Sequence, residues 1–184
     1  MTEDKAAALP RIASFPRWLR GELRSDHAGE TGAVWLYLGM IRFSRDPEVI
    51  DFAWAHLETE REHLNLFDAW LASGDKSRLI PVWRLAGWML GAIAAIGGRN
   101  MTYLTVSAVE KFVVGHYEDQ INALEGNRLH PEVSAVLKRF SADENAHRRE
   151  ADERVWREEN SATRLWRMLI ASGSSLAVMT ARRL

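Results

Sequence analysis

Cysteine is absent from this 184-residue chain, and its absence excludes several kinds of site. Without thiols the chain has no disulfide, no thiolate zinc site, no cysteine-ligated iron–sulfur cluster and no cysteine nucleophile. Any bound metal must therefore be held by oxygen and imidazole ligands. A reducing compartment is compatible with this composition.

An excess of charge of one sign is also missing. Lys and Arg number 24, Asp and Glu number 25, and the net charge is -1. No basic cluster follows the chain in the way that would track a phosphate backbone, so we expect no nucleic-acid partner. A content of 47% hydrophobic and 27% charged residues is typical of a globular protein.

Apolar runs long enough to cross a membrane do not occur. Residues 6–9 are too few for the core of a signal peptide, so no targeting sequence is expected. Two segments of 14 uncharged residues lie between Arg84 and Arg99 and between Arg167 and Arg182. As helices they would each cover about 21 Å, whereas a bilayer core measures about 30 Å. Neither segment should span a bilayer.

Helical periodicity dominates and no useful β alternation appears, so the predicted fold class is all-α. Prolines at positions 10 and 16 mark residues 1–16 as a flexible arm, and residues 17–184 are predicted to form a single domain. The predicted long helices cover residues 17–44, 46–73, 100–125 and 131–159. Two apolar helices complete the prediction, at residues 79–98 and from Ser161 onward.

Glutamates occupy core positions of the four long helices. In the second of these, Glu60 takes a place in an apolar stripe between Leu57 and Leu64. The remaining three interrupt their own stripes in the same way: Glu30, Glu110 and Glu144. Buried carboxylates are costly and repel one another, and a pair of divalent cations would remove both objections.

Two of these glutamates begin Glu-x-x-His motifs, which end at His63 and His147. Residues three apart share one helix face, with Cβ atoms about 5–6 Å apart. Di-iron proteins built on ferritin-like four-helix bundles use this set, with one Glu on each of two helices and Glu-x-x-His on each of the others. Chance predicts about half of one such motif here, and two are present. We therefore favour a metal site over ordinary surface residues, and this ligand set suits iron or manganese.

The two halves of the chain repeat one pattern. Glu30 and Glu110 are each followed seven residues later by a tyrosine, Tyr37 and Tyr117. These tyrosines either relay protons or electrons near the metal or are core aromatics with a bonded hydroxyl. The sequence favours neither role.

Several other polar residues are candidates for supporting roles. Asp26, His27 and Asp143 are candidates for holding metal ligands in place, although polarity at a helix start is the favoured interpretation of the first two. We predict that His56 and His130 are ordinary surface or cap residues. The eight tryptophans are predicted to be core residues more than membrane-interface residues.

Four helix segments and the C-terminal tail resemble the demethoxyubiquinone hydroxylase family. The segments are LRSDHAGETGAVWLYLG, ETEREHLNLF, AVEKFVVGHYEDQ and RFSADENAH, and the tail is RMLIASGSSLAVMTARRL. The resemblance extends from about Leu23 to Leu184.

The resemblance implies O2-dependent hydroxylation of the ring of a polyprenyl demethoxy-quinone or quinol, a late step of ubiquinone biosynthesis. It implies two irons per chain, bridged by Glu60 and Glu144, with His116 and Tyr117 as catalytic residues beside them. The implied iron ligands are Glu30, Glu60, His63, Glu110, Glu144 and His147. No flavin or nicotinamide fingerprint occurs in the sequence, so the reductant is external, either a diffusing donor such as NADH or the quinone itself.

A membrane-dissolved substrate bears on the two apolar segments. Each has Arg at both ends and Trp nearby, as expected of a helix that lies in a membrane interface. A helix packed against the bundle is an equally good interpretation. Together with the implied substrate, they predict a peripheral protein on the cytoplasmic side of the cell membrane, with an apolar channel to the irons. A homo-oligomer or a lipid-presenting accessory protein is an expected partner.

Two other functions use the same ligands. An iron-storage or ferroxidase protein would be a soluble cage without a membrane face. A lipid- or quinone-binding bundle would use the metal only to stabilise its fold.

Overall fold

The structure, a computed structural model, describes residues 6–157 and 160–184. Within these residues there are six α-helices, a short 3₁₀ turn at Ile12–Ser14 and no strand. The helices are α1 (Arg17–Phe43), α2 (Pro47–Trp70), α3 (Ile80–Ile96), α4 (Arg99–Gly126), α5 (Pro131–Arg154) and α6 (Ser161–Ala181). The all-α prediction is confirmed, and the helix order is consistent with a ferritin-like bundle.

Helix starts follow their sequence signals, whereas α2 ends at Trp70 and not at the predicted residue 73. Pro47 occupies the first position of α2, and the side chain of Asp46 accepts a hydrogen bond from the backbone N–H of Glu48 at 3.0 Å. His130 is the N-cap residue of α5, as predicted. That helix ends at Arg154, and the predicted end at residue 159 lies outside the described residues.

The predicted flexible arm is only partly described, because residues 1–5 lie outside the described residues. Ile12 and Phe15 are buried, and the carbonyl of Pro10 accepts a hydrogen bond from Trp70 Nε1 at 2.9 Å. The extent of the arm and the single-domain assignment stay predictions. Contacts among the described residues group the chain into two compact units, one reaching to Arg99 and including Ser175–Leu184, the other covering Asn100–Ser174.

In the first unit, α1 runs antiparallel to α2. The partners Tyr37 and His56 lie near the turn between the helices, and His27 and Asp68 lie far from it. This first helix pair encloses a core of Leu23, Leu57 and other fully buried side chains. These two contacts define the register of the pair, with Tyr37 opposite His56 and His27 opposite Asp68.

Glycines let α3 lie against α1 with their backbones in contact. A Cβ added at Gly91 would lie 1.9 Å from the carbonyl oxygen of Leu36, and one at Gly87 would lie 2.2 Å from that of Gly32. The α3 helix therefore packs through its glycine face. Its exposed apolar residues recur every three or four positions: Val82, Leu85, Met89, Ile93 and Ile96.

In the second unit, α4 and α5 form an antiparallel pair of the same kind. Ser107 donates a hydrogen bond to Asp152, and Ser134 near the other end donates one to Glu125. The first half of α6 is attached to α4, because Trp166 Nε1 donates to Thr105 Oγ1 at 2.9 Å. Large apolar side chains of α6 are exposed: Leu165, Met168, Leu169, Leu176 and Met179.

Two sequence expectations about apolar residues have different outcomes. Among the described residues no helix combines the length and hydropathy needed to cross a bilayer, as predicted. The core assignment of the tryptophans is wrong for three of them. All eight lie in the described part of the chain, and only Trp70 is buried, whereas Trp18, Trp54 and Trp156 are exposed.

Candidate metal centre

The first helix pair brings together one group of predicted ligands, which we call the first triad: Glu30, Glu60 and His63. One ligand atom from each of the three lies within 4.8 Å of the others. Nδ1 of His63 is 3.6 Å from Oε2 of Glu30. The antiparallel register explains the approach, since Glu30 on α1 lies opposite the Glu-x-x-His face of α2. All three residues are at most 3% exposed.

The second helix pair repeats this arrangement in a second triad: Glu110, Glu144 and His147. Again one ligand atom from each residue lies within 4.8 Å of the others. Nδ1 of His147 is 3.3 Å from Oε2 of Glu144, one turn away on α5. The glutamates are 1% exposed and His147 is 8% exposed. The structure thus gathers the six predicted residues into two like groups, one in each unit.

The donor set of each triad fits a divalent metal ion. Two carboxylates and one imidazole supply hard oxygen and nitrogen donors, which suit iron or manganese. Two carboxylates also carry a charge of -2, which one divalent cation balances within a buried site. Their assignment as metal ligands stays a prediction.

A protein-family model described as Ubiquinone biosynthesis protein COQ7 matches residues 17–181 of the chain. That match covers most of the sequence and includes both triads. The chain belongs to the COQ7 family. The predicted family is therefore confirmed.

Curated relatives of this COQ7-family chain are named as hydroxylases. NADPH-dependent 3-demethoxyubiquinone 3-hydroxylase, mitochondrial, of Rattus norvegicus is 32% identical over 88% of this chain and 76% of the rat protein. The 3-demethoxyubiquinol 3-hydroxylase of Rhodospirillum rubrum is 33% identical over 68% of this chain, and that of Xanthomonas oryzae is 28% identical over 82%. These alignments cover 60% and 70% of the two bacterial proteins. The predicted enzyme class, hydroxylase, is confirmed at the level of the family.

His27 lies one turn before Glu30 and is buried. Its Nε2 is 3.0 Å from Oδ1 of Asp68, which also accepts a hydrogen bond from Lys76 Nζ. Burial lowers the pKa of His27, although its hydrogen bond to Asp68 opposes this shift. Burial alone would raise the pKa of Asp68, and the hydrogen bonds from Lys76 and His27 lower it overall. A neutral His27 therefore donates Nε2–H to an ionised Asp68.

This environment corrects the preferred interpretation of Asp26 and His27. Their polarity was assigned to a helix start, but α1 begins at Arg17 and both residues are buried in its middle, each 3% exposed. The helix predicted over residues 17–44 already placed both residues well inside it, so the signal that they are buried was present in the sequence. Asp68 and Lys76, which complete the contact, were not predicted.

The second helix pair contains a counterpart of this contact. Ser107 lies three residues before Glu110, as His27 lies before Glu30, and Asp152 lies eight residues after Glu144, as Asp68 lies after Glu60. Oγ of Ser107 donates to Oδ1 of Asp152 at 2.5 Å. Arg148 contacts the other carboxylate oxygen at 2.8 Å. The repeat therefore extends beyond the ligands to the residues beside them.

Tyr37 and His56 form a buried pair next to the first triad. Oη of Tyr37 is 3.1 Å from Nδ1 of His56, and the residues are 0% and 2% exposed. The ring of His56 also lies 4.0 Å from that of Phe52. The prediction of His56 as a surface residue is wrong. Its place four residues before Glu60, on the same apolar stripe, was the signal that would have found it.

Tyr117 lies in the second pair at the position that matches Tyr37. Its ring centroid is 6.4 Å from Phe140, four residues before Glu144, and 6.3 Å from His116. Tyr117 is buried and His116 is half-buried. The catalytic roles assigned to His116 and Tyr117 stay predictions.

Proposed function

We propose that this chain hydroxylates the ring of a polyprenyl demethoxy-quinone or quinol, using O2 and two irons held by the two triads. The observation that carries the proposal is the buried Glu, Glu and His group repeated in both helix pairs of a COQ7-family chain. The names of the relatives support the substrate class. In this proposal Glu60 and Glu144 would each help to hold the irons, as the family resemblance implies.

When bound, the irons would supply the reduction of O2 and the transfer of one oxygen atom to the ring. The chain's own residues would hold the metals in a dry setting, because fully buried apolar side chains such as Leu57 and Leu137 share helix faces with the ligands. His116 and Tyr117 would contact the substrate. The electrons come from an external nicotinamide donor. NADH was the donor suggested from sequence, and the names of the mammalian relatives specify NADPH.

We also propose that the exposed apolar faces of α3 and α6 contact the membrane in which the substrate dissolves. Soluble proteins seldom expose apolar stripes of this length without an interaction partner. Arg84 lies over the ring of Trp35 at 5.9 Å, beside the start of the α3 face, which is the composition of an interfacial helix. The protein would then be peripheral, on the cytoplasmic side of the cell membrane, with an apolar route to the irons. A homo-oligomer or lipid-presenting accessory protein remains part of this proposal.

Metal content and quinone products test the proposed function together. Iron and manganese are counted per purified chain, and quinones are quantified in cells that lack their own hydroxylase, with and without this gene. Two irons per chain and restored hydroxylated quinone are expected. Glu60→Ala and His147→Ala should abolish both, whereas Glu62→Ala, which changes an exposed residue of α2, should change neither.

Other results would select a different function. Two irons without restored quinone, combined with rapid Fe(II) oxidation, would indicate a ferroxidase. Bound metal with quinone binding but no oxygen consumption would indicate a binding bundle. Failure to bind metal in metal-replete cells would contradict the proposed site altogether.

A further inference from the structure

We propose that Tyr37 and His56 form a redox-active pair, in which the phenol gives up an electron and a proton together. The pair is closed to solvent, since the residues are 0% and 2% exposed. Its Oη to Nδ1 distance of 3.1 Å is a hydrogen-bond distance. The inference rests on the proposed function only for the oxidant that the pair would meet in the cell.

The burial of the pair determines which chemistry is accessible. Oxidising a buried phenol without moving its proton would leave a cation in an apolar setting, which is strongly unfavourable. A neutral imidazole at hydrogen-bond distance can accept that proton. Tyr37 therefore has its proton acceptor in place before any electron is removed.

The step balances within the pair and one external oxidant. Tyr37 loses one electron to a one-electron oxidant, and its Oη–H bond breaks as a bond forms between that hydrogen and Nδ1 of His56. The products are a neutral phenoxyl radical, an imidazolium and the reduced oxidant. One electron from a reductant and return of the proton to Oη restore both side chains. In the cell the oxidant would be the oxygen-reactive metal site and the reductant the nicotinamide donor.

The position of the pair on the helices suits this exchange. Tyr37 follows Glu30 by two turns of α1, a rise of about 10 Å. His56 precedes Glu60 by one turn of α2, so the two side chains share one face of that helix. The pair therefore lies in the same helix pair as the first triad and next to it along both helices.

At the position that matches His56, the second helix pair has phenylalanine. Tyr117 corresponds to Tyr37, and Phe140 corresponds to His56 by its distance from the Glu-x-x-His motif. The aromatic contacts are alike, with interplanar angles of 66° for Tyr37 and His56 and 64° for Tyr117 and Phe140. Packing alone is thus satisfied by phenylalanine at this position. The imidazole in the first pair adds proton acceptance to a contact that does not require it.

The test oxidises the purified full-length chain with photogenerated ruthenium(III) tris-bipyridine, an oxidant that acts whether or not metal is bound. Radicals are trapped by freezing and measured by electron paramagnetic resonance, with ring-deuterated tyrosine separating tyrosyl from tryptophanyl signals. A tyrosyl signal is expected that Tyr37→Phe removes and Tyr103→Phe and Tyr117→Phe leave in place. Its formation should slow in D2O.

His56→Gln is the decisive variant, because glutamine keeps a hydrogen-bond acceptor but cannot take up the proton. Tyrosyl formation should slow by about a hundredfold, the lower end of the range for loss of a positioned base. Unchanged formation in His56→Gln, a signal that persists in Tyr37→Phe, or a wild-type rate unaffected by D2O would overturn the proposal. If a variant fails to fold, the wild-type rate in D2O still tests whether proton transfer accompanies tyrosine oxidation.

Metal content and hydroxylation are measured on the same preparation. A Tyr37 radical in a chain without metal or hydroxylase activity would leave the pair intact and remove the proposed function. A metal-loaded, active chain without the radical would support the proposed function and overturn the redox pair.

Discussion

The two helix pairs have the same six-ligand pattern but different neighbours around it. Beside the first triad lie two histidines, His27 bonded to Asp68 and His56 bonded to Tyr37. Beside the second triad the matching positions are Ser107, bonded to Asp152, and Phe140, packed on Tyr117. The ligands and their carboxylate and tyrosine neighbours recur in both pairs, whereas at these two matching positions only the first pair has imidazoles.

This difference separates metal binding, which both helix pairs would share, from proton transfer beside the metal, which would differ between them. Holding a divalent ion requires the triad in each pair. Moving protons requires groups that change protonation, and at the two positions where the pairs differ only the first pair has an imidazole that can do so. The comparison therefore predicts equal effects for ligand changes in the two pairs and unequal effects for changes in their neighbours.

The largest effect should come from the ligands, and it should be the same in both pairs. Glu30→Ala and Glu110→Ala each remove a carboxylate from a buried triad, and each should abolish hydroxylation in the quinone assay. Glu153→Ala, which changes an exposed residue of α5, should be silent. Retained activity in one of the two ligand variants would break the equivalence of the triads.

The next effect concerns packing at the position where the pairs differ. Phe140 is fully buried, so Phe140→Ala should lower the free energy of unfolding by about 3–5 kcal/mol. His56→Phe keeps the ring volume but removes the hydrogen-bond partner of a buried phenol, and should cost about 1–3 kcal/mol. Denaturant titration of both variants measures the ranking. A larger loss in His56→Phe would show that the polar contact matters more for stability than the packing.

A third effect distinguishes α3 from α6. Gly91→Ala would place a methyl group against the backbone of α1, and should destabilise the chain by about 1–3 kcal/mol. Gly173→Ala in α6 meets no atom within 4 Å and should stabilise by up to about 1 kcal/mol, because alanine favours helix. Thermal unfolding of the two variants gives opposite shifts. Equal shifts would contradict the close contact of α3 with α1.

The smallest effect is a pH dependence confined to the first pair. Burial lowers the pKa of His27, so below its ordinary value of 6.5 the unfolded chain binds a proton that the folded chain resists. His27 therefore costs stability as the pH falls from about 7 through this range. In His27→Ser, which copies Ser107, that cost should vanish, and denaturant titrations between pH 8 and pH 5 should show a flatter profile. An identical profile in the variant would show that His27 does not titrate in this way.

Much of this architecture could be predicted from the sequence. Caps and breakers predicted the starts of two helices, since Pro47 and Pro131 each begin a helix where expected. The last helix is capped by Asn160, whose Oδ1 accepts a hydrogen bond from the Thr163 N–H, and not by Ser161 as expected. The triads followed from charged residues inside apolar stripes. These signals depend on residues three or four positions apart, so they can be recognised in a single sequence without knowing how the helices pack.

The neighbours of the triads were harder to predict. His56 lies on the core stripe of α2, but a histidine is most often exposed, and only the register with Tyr37 shows why this one is buried. Asp68 is separated from His27 by 41 residues and meets it only when α1 and α2 pair. Trp18, Trp54 and Trp156 are exposed although a core position was predicted, because hydrophobicity alone does not say whether a helix face is covered.

The measurement that tests the account most directly is the metal content of the purified chain together with that of one variant from each triad. The account predicts two irons in the wild type and loss of bound iron in both His63→Ala and His147→Ala, with helical content unchanged. A wild-type chain that binds no metal, or variants in both triads that keep two irons, would contradict it.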